Sequence, residues 1–440
     1  MDSKTAAEII SSTKDLPEML LSEAKVAGAQ LVEVYQSSTL SRPIIFEGNR
    51  LKQIETSQSE GVALRLWRDG RPGLAVGYGP IDAKTLVEKA LAISTLNLPE
   101  IADLSTGSPD TAAAKRQAFP EKGQAMAVEK LVDLGRGAIA QIRTSIPEAV
   151  CEAEFSCDVE YIRLINSTGL DYSFQDTTLS GFISAELIQQ DDFLCVNDGT
   201  LSRHQLDIGA VADSIIQRLV WAQQTVEPTV GQVPIIFTPG AAWLLWDTLR
   251  SALNGKRVKE GISPWRKKLG KRVIDPAITL RQDPTVGPYL CPFDDEGVLT
   301  QPLTFVENGV VKSWYCDRAH GTTGNGIRPE LGDYPTPGLI NLLVTPGKSD
   351  LQALIAPQKD AIIIDQVMGE GGDITGDLAV NLDLGYQVRN GEIIGRVKDT
   401  MVSGNAYTAL NNLIALGSDI GWSGSTYTPS IAVEGLSVVG

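Results

Sequence analysis

Histidine and serine, the side chains that most often carry hydrolytic chemistry, form no catalytic pattern in this sequence. The two histidines, His204 and His320, lie far apart along the chain. Mononuclear zinc peptidases usually carry two histidines on one helix, as in His-Glu-x-x-His, and no such pair occurs here. A Gly-x-Ser-x-Gly nucleophile motif is also absent. We expect His204 to open a helix and His320 to make ordinary loop hydrogen bonds.

Three other segments contain residue types that can bind ligands or react. Residues 369–377, GEGGDITGD, resemble a phosphate-binding loop but lack Gly-Lys-Ser/Thr and carry acids, so they predict a glycine-rich turn between strands. Residues 293–297, FDDEG, group three carboxylates, but a hard metal would need further oxygen ligands, so a solvated turn is expected. Residues 421–425, GWSGS, are predicted to follow a helix, which does not suit a nucleophile.

A predicted strand–turn–helix lies near the middle of the chain. Residues 233–243, VPIIFTPGAAW, indicate a buried strand, a Pro-Gly turn and the start of a helix. Trp243 and Trp246 are three residues apart and therefore share one helix face, which is more typical of a core or an interface than of a substrate clamp. Asp247 is a single carboxylate beside them.

Composition indicates a well-cored protein of the cytoplasm. The formal net charge of −16 argues against a nucleic-acid or anionic-membrane partner. No apolar run reaches the roughly 18 residues of a membrane helix, and the N-terminus shows no signal-peptide core. The cysteines form no Cys-x-x-Cys pair and are expected to be reduced and mostly buried. They are Cys151, Cys157, Cys195, Cys291 and Cys316.

The first hundred residues predict an α+β unit. Residues 16–28 carry apolar groups at helical spacing, and residues 81–94 return to this pattern. Between them, alternating residues and the turns Gly48-Asn49 and Asp69-Gly70 predict an antiparallel meander. Residues 98–122 are rich in Pro, Ser, Thr and Asp, which favours a loose surface excursion.

The middle of the chain continues the same pattern. Helices are predicted over residues 125–145 and 207–224, with three or four strands between them and a turn at residues 167–169. A break near residue 228 suggests a domain boundary. We therefore expect an N-terminal α+β domain of helices and antiparallel sheet over residues 1–227, and a C-terminal strand-rich α/β domain over residues 228–440.

The second domain contains many glycines that indicate turns between short strands. Asn308-Gly309 and Asn390-Gly391 predict tight hairpins. Residues 406–420 are expected to form a helix, and residues 429–440 a closing strand. The fold class is therefore α+β.

Beyond these patterns, the chain resembles the TldD/PmbA family, and within it the PmbA (TldE) branch. The resemblance extends over nearly the whole chain and rests on the order and spacing of many segments. They include GNRLKQIETSQSEGVALRLWRDGRPGLA, LINSTGLDYSF, PIIFTPGAAWLLWDTLRSALNGKRVKEG, MGEGGDITGD, YQVRNGEI and PSIAVEGLSVVG.

The resemblance implies a function. Members of the TldD branch are zinc metallopeptidases with His-Glu-x-x-x-His on a helix after a strand and a late cysteine as a further ligand. Members of the PmbA branch lack these ligands and pair with a TldD-type subunit, forming a heterodimeric peptidase for peptides or unfolded proteins. The family has also been associated with modulation of DNA gyrase. The implied cofactor is zinc in the partner and none in this chain.

Carried onto this sequence, the TldD motif falls on residues that cannot reproduce it. The first histidine falls on Trp246, the glutamate on Asp247 and the second histidine on Ser251, while the late cysteine falls near Ser423. The resemblance thus implies a vacated metal site. The expected contacts to a partner or a peptide are Trp243, Trp246, Gly371 and Gly372.

The leading hypothesis is a non-catalytic subunit, inactive alone, of a TldD/TldE-type zinc metallopeptidase. The alternative is a homodimeric peptide-binding or regulatory protein without peptidase activity, which the absence of a TldD-type sequence from the same genome would favour. An independent hydrolase with an unrecognised site would be active as the purified chain and insensitive to chelators.

Overall fold

The computed structural model describes residues 15–106, 123–189, 192–369 and 371–440. In this part of the chain, strands dominate and a smaller number of helices cover the sheets, so the predicted α+β class is confirmed. The predicted excursion at 98–122 falls largely on residues 107–122, which lie outside the described residues. Among the described residues, no helix combines the length and the apolar character needed to cross a lipid bilayer.

The helices and strands are numbered in chain order. The helices are α1 (Leu16–Val26), α2 (Ala83–Ser94), α3 (Val128–Ser145), α4 (Ile208–Trp221), α5 (Trp243–Leu253), α6 (Gly255–Lys259), α7 (Leu351–Ile355) and α8 (Ala406–Asn411). The first strands are β1 (Leu31–Ser41), β2 (Ile44–Glu47), β3 (Arg50–Ile54), β4 (Ser57–Arg68), β5 (Arg71–Tyr78), β6 (Val150–Asn166), β7 (Asp171–Gln189) and β8 (Asp192–Ser202).

The later strands are shorter. They are β9 (Gly231–Gln232), β10 (Ile235–Phe237), β11 (Leu280–Gln282), β12 (Leu303–Glu307), β13 (Val310–Val311), β14 (Asn325–Ile327), β15 (Thr336–Gly338), β16 (Leu342–Val344), β17 (Asp360–Met368), β18 (Asp377–Arg389), β19 (Glu392–Val397), β20 (Met401–Asn405), β21 (Leu413–Leu416), β22 (Gly421–Ser423), β23 (Thr426–Thr428), β24 (Ile431–Val433) and β25 (Leu436–Val439).

The N-terminal strands form one antiparallel sheet in the order β3-β2-β6-β1-β4-β5, which β7 and β8 extend from β6. Helices α1 and α2 cover β1 and β4, with Leu20 and Leu86 in the shared core. Helices α3 and α4 cover the inner side of β6 to β8, where Phe155 and Ile183 are buried. Alternating burial along β6 follows from the strand period of two, since successive side chains point to opposite faces.

The C-terminal strands form a nine-stranded and a six-stranded sheet. The first has the order β21-β24-β10-β17-β18-β20-β25-β9, with β19 on β18, and the second has the order β13-β12-β11-β16-β23-β22. Strand β10 runs parallel to β17 and antiparallel to β24, so its three residues are buried at the centre. Helix α5 packs between the two sheets, in a core with Phe305 and Ile364.

The predicted tight turns are confirmed by backbone geometry. Asn49, Asp69, Asn308 and Asn390 all have positive φ, and each stands in a turn beside a glycine. Asparagine and aspartate tolerate this left-handed conformation better than other non-glycine residues, which explains why these dipeptides predicted hairpins correctly.

Four local predictions were wrong. His204 does not open a helix, because α4 begins at Ile208 behind an Asp207 cap. The helix predicted over residues 406–420 ends at Asn411, because Leu413–Leu416 pairs with β24 as a strand.

The closing strand is in fact two, β24 and β25, separated by Gly435 at φ 90°. Similarly, the segment GWSGS does not follow a helix directly. It lies in the β22–β23 hairpin, because Gly421, Trp422 and Ser423 pair with β23.

Candidate functional site

A strand–turn–helix positions the candidate site, as predicted. The buried strand β10 ends at Phe237, and α5 begins at Trp243. Thr238 ties the turn between them to β17, because its backbone N–H donates to the Ile364 carbonyl at 3.0 Å and its hydroxyl donates to Asp365 at 2.9 Å. The first turns of α5 are therefore held rigidly against the central sheet.

Trp246 occupies the position that the resemblance assigns to the first histidine. Its side chain has no exposed surface. The indole Nε1 donates to the Thr428 hydroxyl at 2.7 Å, and that hydroxyl donates to the Pro429 carbonyl at 3.1 Å. The indole is thus fixed in the core without exposed surface. A contact between Trp246 and a partner would require this packing to open, and that contact stays a prediction.

Asp247 faces a guanidinium. Its side chain is 43% exposed, and its carboxylate lies 3.7 Å from the Arg250 Nη1. Partial burial raises the pKa of Asp247 above its ordinary value, and the Arg250 charge opposes this effect. Arg250 also donates to the Thr426 hydroxyl, and its carbonyl accepts from the Tyr315 hydroxyl at 2.9 Å. Arg250 is therefore anchored between α5 and β23.

The four positions implied by the resemblance belong to one region of the structure. Ser251 is half-buried and lies one helical turn after Asp247. Ser423 pairs with Thr426 across the β22–β23 hairpin, and Thr426 contacts Arg250. Helix α5 and this hairpin are thus joined through two threonines of β23.

The donor set of this region does not fit zinc. Zinc sites in proteins use imidazole nitrogen, thiolate sulfur and carboxylate oxygen. Here the corresponding side chains are an indole, two serine hydroxyls and a single carboxylate beside an arginine. Within the described ranges, no group of three or more His, Cys, Asp or Glu side chains is placed to hold a metal ion.

The glycine-rich turn lies directly over α5. It connects β17 to β18, as predicted. A Cβ at Gly371 would lie 2.8 Å from Cζ3 of Trp243, and one at Gly372 would lie 2.7 Å from the Thr248 hydroxyl. Only glycine allows so close an approach. The structure therefore brings Trp243, Gly371 and Gly372 together, while their contact with a partner stays a prediction.

The acidic segment 293–297 is not the solvated turn that we expected. Asp294 is 1% exposed, and it accepts backbone N–H bonds from Gly326, Val298 and Glu296 at 2.8 to 3.0 Å. Burial raises the pKa of Asp294 to about 8. The turn is buried because Phe293 packs against Tyr172 of the N-terminal sheet, with ring centroids 5.5 Å apart. These carboxylates therefore lie where the C-terminal part of the chain packs on the N-terminal sheet.

The histidines lie outside this region of α5. His320 Nδ1 lies 2.5 Å from the Asp317 carboxylate, so the imidazole is hydrogen-bonded within its own loop, as predicted. His204 is exposed, and its backbone N–H donates to Ser202.

Sequence reasoning missed Arg250, Thr426 and Thr428. One signal was available, because Arg250 follows Trp246 by four residues and must share its helix face. The Thr-x-Thr alternation of β23 likewise places both hydroxyls on one side of the strand.

Comparison with known proteins identifies the family. The model of the PmbA/TldA metallopeptidase C-terminal domain matches residues 230–440, and the model of domain 1 of these metallopeptidases matches residues 32–94. The chain belongs to the TldD/PmbA family.

The chain is also similar to individual proteins and to a solved structure. An uncharacterized protein of Methanocaldococcus jannaschii is 28% identical over 404 residues, which cover 88% of this chain and 92% of that protein. The metalloprotease PmbA homolog of Haemophilus influenzae is 27% identical over 238 residues, covering 52% of this chain and 51% of that one. The crystal structure of TldE from Thermococcus kodakarensis matches with a TM-score of 0.86 and 22% identity, covering 97% of this chain and all of that one, which shows a shared fold.

Proposed function

We propose that this TldD/PmbA family member is a non-catalytic subunit of a zinc metallopeptidase that degrades peptides or unfolded proteins. In this proposal, a TldD-type partner holds the zinc and carries out hydrolysis. The observation that carries the proposal is the state of Trp246, which is buried and hydrogen-bonded at the position implied for a metal-binding histidine.

The chemistry of the region supports this assignment. The nitrogen lone pair of an indole is part of the aromatic system, so it cannot bind a metal as an imidazole does. The Arg250 guanidinium, held by Thr426 near Asp247, would repel a divalent cation. Metallopeptidases rely on a metal to generate a hydroxide-like nucleophile from water at neutral pH, and these side chains supply no substitute for it.

In this proposal, the role of the chain is to bind the partner and to shape access to the partner's active site. A subunit with this well-packed α5 region can complete the shell around the partner's site and restrict access by folded proteins. The family membership supports peptide hydrolysis by the proposed complex. The donor set around α5, in the part of the chain that the structure describes, supports assigning that chemistry to the partner.

The proposal is tested by mixing this chain with a TldD-type protein from the same source. Size-exclusion chromatography with light scattering, zinc analysis and hydrolysis of a reduced, alkylated protein are measured for each chain and for the mixture. We expect a 1:1 complex whose activity disappears when the partner's motif glutamate is replaced by glutamine.

Two outcomes would contradict the proposal. Hydrolysis by the purified chain in the presence of a chelator would indicate an independent hydrolase. A stable homodimer that does not bind the TldD-type protein would indicate a binding or regulatory protein.

A further inference from the structure

The outer face of β6 and β7 is continuous and only partly covered. The two strands pair in unbroken register from Val150 opposite Glu186 to Ile165 opposite Asp171. Side chains directly opposite each other share a face, so even-numbered residues of both strands point away from α3 and α4. At one end this face is covered by the chain's own C-terminal part, where Phe293 packs on Tyr172.

The other end of this face carries exposed apolar groups. Ile188 and Phe193, which pair across the β7–β8 hairpin, are 69% and 58% exposed. Phe182 and Val150 are 48% and 38% exposed. Large apolar side chains grouped on one surface are typical of interaction sites.

Carboxylates stand between these apolar groups. Glu154 lies opposite Phe182, and Glu186 lies opposite Val150. We call this surface the hairpin face. Its side chains are Val150, Glu152, Glu154, Phe182, Glu186, Ile188 and Phe193.

The hairpin face is acidic, and its glutamates are not neutralised by ion pairs within the described ranges. None of its three glutamates forms an ion pair with any residue that the structure describes. The nearby cations Arg396 and Lys398 are both engaged by Asp192. Beside the face, the pKa of Cys195 is raised to about 11, mainly by burial and then by repulsion from Glu186, Asp383 and Glu152. A complementary partner would therefore be basic.

The adjoining edge of β8 is closed to strand addition. The Gln366 side chain accepts from the Asn197 N–H at 2.8 Å and donates to the Cys195 carbonyl at 3.0 Å. Arg218 donates to the Asn197 carbonyl at 2.7 Å. An extended peptide needs such free backbone groups to add to a sheet, so an occupant of this region must lie on the face itself.

We propose that the hairpin face docks the folded partner subunit, through a surface that presents apolar side chains together with lysine or arginine. A sheet face with a closed edge suits another folded surface, and apolar groups with complementary charge provide affinity and orientation. The inference rests on the proposed function, because it commits to the TldD-type subunit as the occupant. A second copy of this chain would bring the same carboxylates into contact with one another if it used the same face.

The test measures the affinity of this chain for its TldD-type partner at low and at moderate salt. Ile188→Ser with Phe193→Ser should weaken binding at least about tenfold, because exposed apolar contacts are lost without disturbing the core. Glu152→Gln, Glu154→Gln and Glu186→Gln together should weaken binding at low salt and reduce its salt dependence. The matched controls Leu96→Ser and Glu88→Gln change exposed residues in or just after α2 and should leave the affinity unchanged.

Each outcome decides the question. If the wild-type complex forms and the face variants bind as tightly as the controls, the docking surface is wrong while the subunit proposal stands. If no complex forms, both proposals fail. If the same variants abolish a homodimer instead, the face belongs to a second copy and the inference is overturned. Circular dichroism and thermal unfolding verify that each variant folds.

Discussion

At the scale of single residues, Trp246 determines what the α5 region can do. Its indole fills the core beneath the helix and donates to the Thr428 hydroxyl. Trp246 therefore stabilises the fold, whereas a metal-binding side chain at this position would have to point out of the core. Arg250 fixes the neighbouring surface in the same way, through Thr426 and Asp247. Both side chains make the region a packed joint between helix and hairpin.

Replacing Trp246 with alanine should therefore destabilise the protein strongly. We expect a loss of about 3–5 kcal/mol in the free energy of unfolding, because removal of a fully buried indole leaves a cavity and takes away the hydrogen bond that the Thr428 hydroxyl accepts. Urea unfolding measures the change, and Trp243→Ala serves as the control, since Trp243 is only partly buried. An equal or smaller loss for Trp246→Ala would show that the indole is not a core anchor.

At the scale of elements, the glycine-rich turn between β17 and β18 closes over α5. Its approach to Trp243 and Thr248 leaves no room for a Cβ at Gly371 or Gly372. The acidic residues of this segment do not suit a phosphate site. The close packing against α5 explains why glycine is required at these two positions. The turn covers α5 closely because Gly371 and Gly372 have no side chains.

Gly371→Ala should cost about 1–3 kcal/mol of stability, because the added methyl group overpacks against the Trp243 ring. Combining it with Trp243→Ala should remove most of that cost, which thermal unfolding of the double variant tests. The control is Gly137→Ala inside α3, where no described atom beyond the neighbouring residues and the backbone of the helix itself lies within 4 Å of the new Cβ. That substitution should stabilise the protein by about 0.5–1 kcal/mol, as expected for alanine in a helix interior. Destabilisation that persists in the double variant would contradict the packing explanation.

At the scale of the whole molecule, the N-terminal sheet and the C-terminal strands are joined by buried charge. Arg328 lies 3.0 Å from the Glu33 carboxylate and over the Tyr35 ring, at 5.0 Å from its centroid. Arg65 contacts the same carboxylate at 2.9 Å. Together with the buried turn at residues 293–297, this network fixes the two parts against each other.

Arg328→Ala should lower the free energy of unfolding by about 3 kcal/mol, since it leaves the buried Glu33 with one cation instead of two. Lys312→Ala removes an exposed ion pair with Glu307 and should cost less than about 1 kcal/mol. Denaturant unfolding of both variants gives the comparison. Equal effects would mean that the buried network does not hold the two parts together.

Local sequence was sufficient for the features that depend on neighbouring residues. The helices α1 to α5 and the turns with Asn-Gly or Asp-Gly could be predicted because apolar period and positive φ are local properties. The order and spacing of segments also sufficed to predict the family. The short strand Leu413–Leu416 could not be predicted, because only its pairing with β24 overrides the helical pattern.

Long-range contacts decided the rest. Whether Asp294 is solvated depends on Phe293 meeting a strand more than a hundred residues earlier. The arrangement of Trp246, Arg250 and the two threonines of β23 likewise requires α5 and the β22–β23 hairpin to meet. The hairpin face is defined by the register of β6, β7 and β8 and by the side chains that the other described residues leave exposed. Burial and register arise only when distant segments pack, so no local pattern could have predicted them.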